Sequence, residues 1–86
     1  MKGSTTMIII VTTPICMACD KTKKYLHEKG IEFRSVYFES DEGRKLAAKY
    51  QFYSAPLIID PVHNKAITGF SRKQIDEMIH EQRANQ

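Results

Sequence analysis

The chain has 86 residues, 42% hydrophobic and 27% charged, which is ordinary globular usage and too apolar for intrinsic disorder. Four Gly and three Pro exclude collagen-like or linker-like material, and the length suffices for one small domain, not two. Thirteen basic residues against ten acidic ones leave a net charge of +3, an excess without the basic stripe of a nucleic-acid binder, and one that suits an acidic protein partner instead.

Residues 1–6 are small and polar and read as a flexible N-terminal leader. Met7 to Val11 is a continuous aliphatic run, the pattern of a strand buried on both faces. It is far shorter than the ~20 residues that cross a bilayer and short of the ~7–15-residue core of an export signal. A soluble, cytoplasmic monomer without membrane contact is therefore expected. Thr12 to Ile15 break the strand at Pro14. Met17 to Lys29 suits a helix, with Ala18, Thr22, Tyr25 and Leu26 along one face and Lys21, Lys23 and Lys24 on the solvated side. Gly30 is its stop signal.

Phe33 to Phe38 reads as a second strand. Ser40 is an N-cap, with Asp41 and Glu42 in the first turn of a helix running to about Tyr50. Leu57 to Asp60 is a third buried strand, Pro61 to Asn64 a turn, and Lys65 to Thr68 the return strand of a hairpin. Ser71 to Gln74 has capping-box spacing and opens a final helix with Ile75, Met78 and Ile79 inward. The domain is expected over residues 7–82, with 83–86 as a flexible tail. The order β-α-β-α-β-β-α predicts an α/β domain. Its first two strands are parallel through a helix and its last two form a hairpin, giving a mixed four-stranded sheet with helices on both faces.

This order puts Cys16 and Cys19 just after the first strand, at the opening of the first helix. A bridge across two residues closes too small a loop to constrain the unfolded chain much, so redox or metal chemistry is the better explanation of the pair. Partial positive charge and unpaired N–H groups at a helix N-terminus stabilise a thiolate. Cys16, at the tip, is the expected nucleophile; Cys19, one turn further in, would resolve the mixed disulfide. Pro56 stands directly before a buried strand. A cis Ala55–Pro56 bond would explain its position and bring the Ala55 backbone beside the cysteines, and a trans proline that merely starts the strand is the alternative.

Taken together, strand–Cys-x-x-Cys–helix followed by Ser54-Ala55-Pro56 and Thr68-Gly69-Phe70 resembles the thioredoxin superfamily, and specifically the glutaredoxins, over Met7 to Ile79. Phe52 to Ile58 and Gly69-Phe70 are most similar to the NrdH redoxins, glutaredoxin-like electron donors to ribonucleotide reductase. The resemblance implies a thioredoxin-like fold of glutaredoxin type and a cis Pro56. It also implies dithiol–disulfide exchange on protein disulfides, through Cys16 as nucleophile and Cys19 as resolver. Thr13, Tyr53, Ala55, Pro56, Gly69 and Phe70 are the candidate substrate-binding residues. No bound cofactor is implied; reducing equivalents would come from thioredoxin reductase and NADPH or from glutathione.

Two departures bear on that choice. Glutaredoxins usually carry a lysine where Thr13 stands, and Gly-Gly followed by an acidic residue where Gly69-Phe70-Ser71-Arg72-Lys73 stands. A glutathione-dependent glutaredoxin is the alternative within the class, and an iron–sulfur or metal carrier using the same two cysteines is the alternative outside it. Zinc would want four ligands, and His27, His63 and His80 have no spacing that joins them to the cysteines. Phe33, Tyr37, Phe38 and Phe52 read as core, whereas Tyr53 and Phe70 neighbour the cysteine site as an apolar rim.

Overall fold

Alternation along one strand sets the layout of the domain. A computed structural model describes residues 7–84; the expected leader at 1–6 and the last two residues of the expected tail lie outside the described residues. Strand β1 (Ile8–Thr12) is buried along its whole length. Successive side chains of a strand point to opposite faces, so Ile8 and Ile10 enter one core and Ile9 and Val11 the other. On the first face they meet Leu26 of helix α1 (Met17–Glu28) and Ile75, Met78 and Ile79 of helix α3 (Arg72–Ala84). On the second they meet Val36 of strand β2 (Phe33–Tyr37) and the half-buried Leu46 and Tyr50 of helix α2 (Asp41–Tyr50). Strand β3 (Leu57–Asp60) feeds both cores in the same way. Each fully buried aliphatic side chain contributes about 1.5–3 kcal/mol of apolar transfer, so these clusters are the main source of stability.

The sheet order is β2-β1-β3-β4, with β4 spanning Lys65–Thr68. Strands β1 and β2 are parallel, with Thr12 opposite Tyr37. Strand β3 runs antiparallel to both β1 and β4, with Leu57 opposite Val11 on one side and Thr68 on the other. The element order is the expected one. Helix α1 closes as Gly30 predicts: the residue has a φ of 70°, its N–H donates to the His27 carbonyl, and the Ile31 N–H donates to that of Leu26. These are the two bonds of a Schellman closure. Ser40 Oγ accepts the Gly43 N–H at 3.0 Å, and Ser71 Oγ accepts that of Gln74 at 3.4 Å, the forward half of the capping box.

Three details differ from the sequence reading. Tyr37 and Phe52 are exposed instead of buried. Strand β2 lies at the sheet edge, where Ser35 and Tyr37 extend beyond the cover of the helices, and Phe52 follows the end of α2. Helix α3 includes Arg83 and Ala84, assigned above to the tail; a cation in the last turn suits the negative end of a helix.

One end of the sheet holds a buried polar network. The Asp60 side chain is fully buried, and its Oδ1 accepts the Val62 N–H at 3.0 Å, the His63 N–H at 3.2 Å and Gln82 Nε2 at 2.6 Å. Its Oδ2 lies 2.8 Å from His63 Nδ1. Gln82 Nε2 also donates to the Met7 carbonyl at 2.8 Å, while its Oε1 accepts the Met7 N–H at 2.9 Å. This network fastens the hairpin turn, the end of α3 and the start of β1 to one another.

Candidate functional site

The opposite end of the sheet gathers three loops. Leu57 sits across from Val11 and Thr68, so the segment after β1, the segment into β3 and the segment after β4 all end side by side. The Gly69 N–H donates to the Pro56 carbonyl at 2.9 Å and ties the last two together. Gly69 has a φ of 79°, which favours glycine. A Cβ added there would meet nothing within 4 Å, so the requirement is conformational and not spatial.

Cys16 is the N-cap of α1. Its backbone is extended (φ −155°, ψ 103°), and its Sγ accepts the Cys19 N–H at 3.1 Å. The sulfur thus takes the place that a serine or aspartate oxygen holds at other helix starts. The Cys16 carbonyl accepts the Asp20 N–H at 3.1 Å, the first bond of the helix. The two cysteines are joined in a disulfide with their Cα atoms 5.2 Å apart. Their surroundings differ sharply: Cys19 is fully buried and Cys16 is half-buried. An incoming reactant meets Cys16 first.

The remaining candidates divide between frame and surface. Thr13 is half-buried, and its Oγ1 donates to the Ile15 carbonyl at 3.4 Å, so the hydroxyl holds the loop. The Ala55–Pro56 bond is cis, Pro56 is buried and Ala55 is half-buried. Among the described residues, no hydrogen bond reaches the N–H or the carbonyl of Ala55. Phe70 is half-buried, packs on the α1–α3 core and meets the Tyr25 ring edge-on with centroids 5.9 Å apart. Tyr53, on the segment leading to Ala55, is 73% exposed.

The sequence gives Met17 a place in the shape of the site, but not the exposure of the two residues that flank Cys16. Ile15 is 94% exposed and Met17 77% exposed, although both are large and apolar. Their signal was present, since each is adjacent to the predicted nucleophile. Arg72 was legible as a charge, but not in its place: its guanidinium carbon lies 6.0 Å from the centroid of Tyr25. Among the described residues no group of three or more His, Cys, Asp or Glu side chains is placed to hold a metal ion, and no helix is long and apolar enough to cross a membrane.

Known proteins share this arrangement. The glutaredoxin family pattern matches residues 8–59. An uncharacterized glutaredoxin-like 8.6 kDa protein of a rubredoxin operon in Clostridium pasteurianum is 35% identical over 75 residues, covering 85% of this chain and 97% of that protein. Among solved structures, the glutaredoxin of Methanosarcina mazei Go1 superposes with a TM-score of 0.72 at 30% identity, over 90% of this chain and 84% of that one. A glutaredoxin of Archaeoglobus fulgidus gives a TM-score of 0.70 at 20% identity, over 86% of each chain, a likeness of fold. The fold is thioredoxin-like, and members of the matched family are generally thiol–disulfide oxidoreductases. With its Cys16–Cys19 pair at the head of α1, this chain belongs to the glutaredoxin family as a glutaredoxin-like thiol redox protein.

Proposed function

We propose that this protein reduces disulfides in other proteins, ribonucleotide reductase among them, and draws its electrons from a protein reductase such as thioredoxin reductase instead of glutathione. The observation that carries the reading is the asymmetry of the pair: a half-buried Cys16 at the helix tip and a fully buried Cys19 one turn inside. In the reduced form the positive end of the helix favours the Cys16 thiolate. That thiolate attacks one sulfur of the target disulfide, and the other target sulfur leaves as a thiolate. Cys19 then gives up its proton and attacks Cys16 Sγ. The Cys16–Cys19 disulfide closes, the second target sulfur departs, and an electron pair has passed from the dithiol to the target. The N–H and carbonyl of Ala55, unpaired among the described residues, suit an extended target segment lying alongside.

The electron source follows from charge. Glutathione has a carboxylate at each end and an ammonium at its γ-glutamyl end. Thr13 supplies no charge for the first, and the opening turn of α3 holds Arg72 and Lys73 with no acid for the ammonium. Losing one charged hydrogen bond costs about 1.5–3 kcal/mol, or roughly ten- to a hundredfold in affinity. Two measurements test the reading. Cys19→Ser is expected to trap a mixed disulfide with target through Cys16, and Cys16→Ser to trap none and lose all turnover, as seen by non-reducing mass spectrometry. Offered separately, thioredoxin reductase with NADPH is expected to sustain turnover and glutathione to sustain little. Brisk glutathione turnover with no response to the reductase would make this a glutathione-dependent glutaredoxin.

A further inference from the structure

The surface around Cys16 has two chemically different sides. Ile15 and Met17 stand directly before and after Cys16 in the chain, and both are largely exposed. Exposing such side chains forfeits burial energy, so an apolar patch centred on a reactive disulfide fits a partner that covers it. On the α1–α3 face the neighbouring surface is basic. Lys21 lies one turn before Tyr25 on the same side of α1, Arg72 stands over the Tyr25 ring at 6.0 Å, and Lys73 follows Arg72 at the start of α3. All three are exposed, and none makes an ion pair among the described residues. Two acids stand among them: Asp20, and Asp76, whose Oδ1 accepts the Tyr25 hydroxyl at 2.6 Å.

This corner goes against helix electrostatics. Cations at a helix N-terminus are unfavourable by about 0.3–1 kcal/mol each, and acids are favourable there. Helix α2, packed on the other face, obeys the rule with Asp41 and Glu42 in its first turn, and Glu39 precedes them. Arg44 and Lys45 come only afterwards. Helix α3 breaks the rule with two adjacent cations and no acid in its first turn; Asp76 and Glu77 come only afterwards. The cysteine end is therefore the more basic on the α1–α3 side and acidic at the head of α2, through Glu39 and Asp41, since Glu42 is paired with Arg34.

Resting on the reading of this protein as a reductant of protein disulfides, we infer that its cognate partner presents a cysteine-bearing extended segment, apolar beside the reacting cysteine and acidic on the side that lies over α3. Ile15 and Met17 take the apolar side chain, and Lys21, Arg72 and Lys73 take the acidic one. The acidic head of α2 repels the reverse orientation, so the segment lies one way across Cys16.

Synthetic peptides with an internal disulfide test this. One set carries Leu beside the reactive cysteine and two Glu on one flank; the others replace Glu by Lys, or Leu by Ser. Each rate constant is divided by the same protein's rate on bis(2-hydroxyethyl) disulfide, which is small and neutral. The Leu/Glu peptide is expected to react about five- to tenfold faster than the Leu/Lys peptide at low salt, the yield of two exposed ion pairs, and the ratio should shrink towards one near 1 M salt. Arg72→Glu with Lys73→Glu should invert the preference, and Ile15→Ser with Met17→Ser should abolish the advantage of Leu over Ser. Equal rates for the Glu and Lys peptides, or a preference indifferent to charge reversal, overturn the inference and leave protein-disulfide reduction standing. Failure on every peptide with good turnover of the small disulfide removes both. Glutathione disulfide outpacing the Leu/Glu peptide would make the basic corner a small-thiol subsite and likewise overturn the inference.

Discussion

The two ends of the sheet are built on opposite terms. At the Asp60 end a carboxylate with no solvent contact receives three donors on Oδ1 and faces an imidazole through Oδ2, while Gln82 satisfies both main-chain groups of Met7. At the cysteine end large apolar side chains stand in solvent, the Ala55 main chain lacks partners among the described residues, and two cations occupy a helix start. Chains that fold well satisfy local rules, and departures collect where function requires them. The contrast assigns stability to one end and chemistry to the other.

The largest expected effect breaks the stable end. Asp60→Ala leaves the Val62 and His63 N–H groups and the Gln82 amide without their acceptor and is expected to cost about 3 kcal/mol, with Gln82→Ala costing about 1–3 kcal/mol. Urea unfolding measures both, and turnover per folded molecule should stay at the wild-type level. A fall in turnover per folded molecule would mean the two ends are coupled.

A second comparison sharpens the contrast within the cysteine end. Gly43 lies where α2 closes on the end of β2, and a Cβ there would stand 2.0 Å from the Tyr37 carbonyl oxygen and 2.9 Å from Phe38 Cα. Backbone must shift, so Gly43→Ala should cost about 3 kcal/mol. Gly69→Ala meets no atom and pays only for its positive φ, about 1–2 kcal/mol. Equal losses in thermal unfolding would show that the Gly69 turn is held as tightly as the α2 junction.

The smallest effect concerns Glu42. Arg34 Nη1 donates to its carboxylate at 2.8 Å, and this hydrogen bond holds the Glu42 pKa below the usual glutamate range. A depressed carboxyl contributes stability above its unfolded-state pKa and loses that contribution as pH falls through its folded-state value. Both groups are exposed, so Glu42→Gln should cost only a little stability near neutrality and none below the folded-state pKa, flattening the acid limb of the stability profile slightly.

Most of this architecture was legible in the residues. The aliphatic run from Met7 to Val11 marked an inner strand, although Met7 itself precedes the strand and is exposed; Ser40 and Gly30 marked helix ends, and Cys16 and Cys19 gained meaning from their place between strand and helix. What stayed hidden depends on contacts distant in sequence. Asp60 and Gln82 are 22 residues apart and Gln82 and Met7 are 75 apart, so no local pattern announces their network. Tyr37 looked like core because composition does not say which strand lies at the edge. The residues left cis and trans forms of Pro56 both open, the family resemblance favoured cis, and the bond is cis.

The grip of Gln82 on Met7 also governs how this domain can be carried. It brings the start of β1 and the last turns of α3 together at the end farthest from Cys16. Met7 and the last turn of α3 thus lie together at the rear of the described domain. A scaffold, a reductase or a target fused directly at Met7 or at Ala84 would accordingly leave the reactive surface leading.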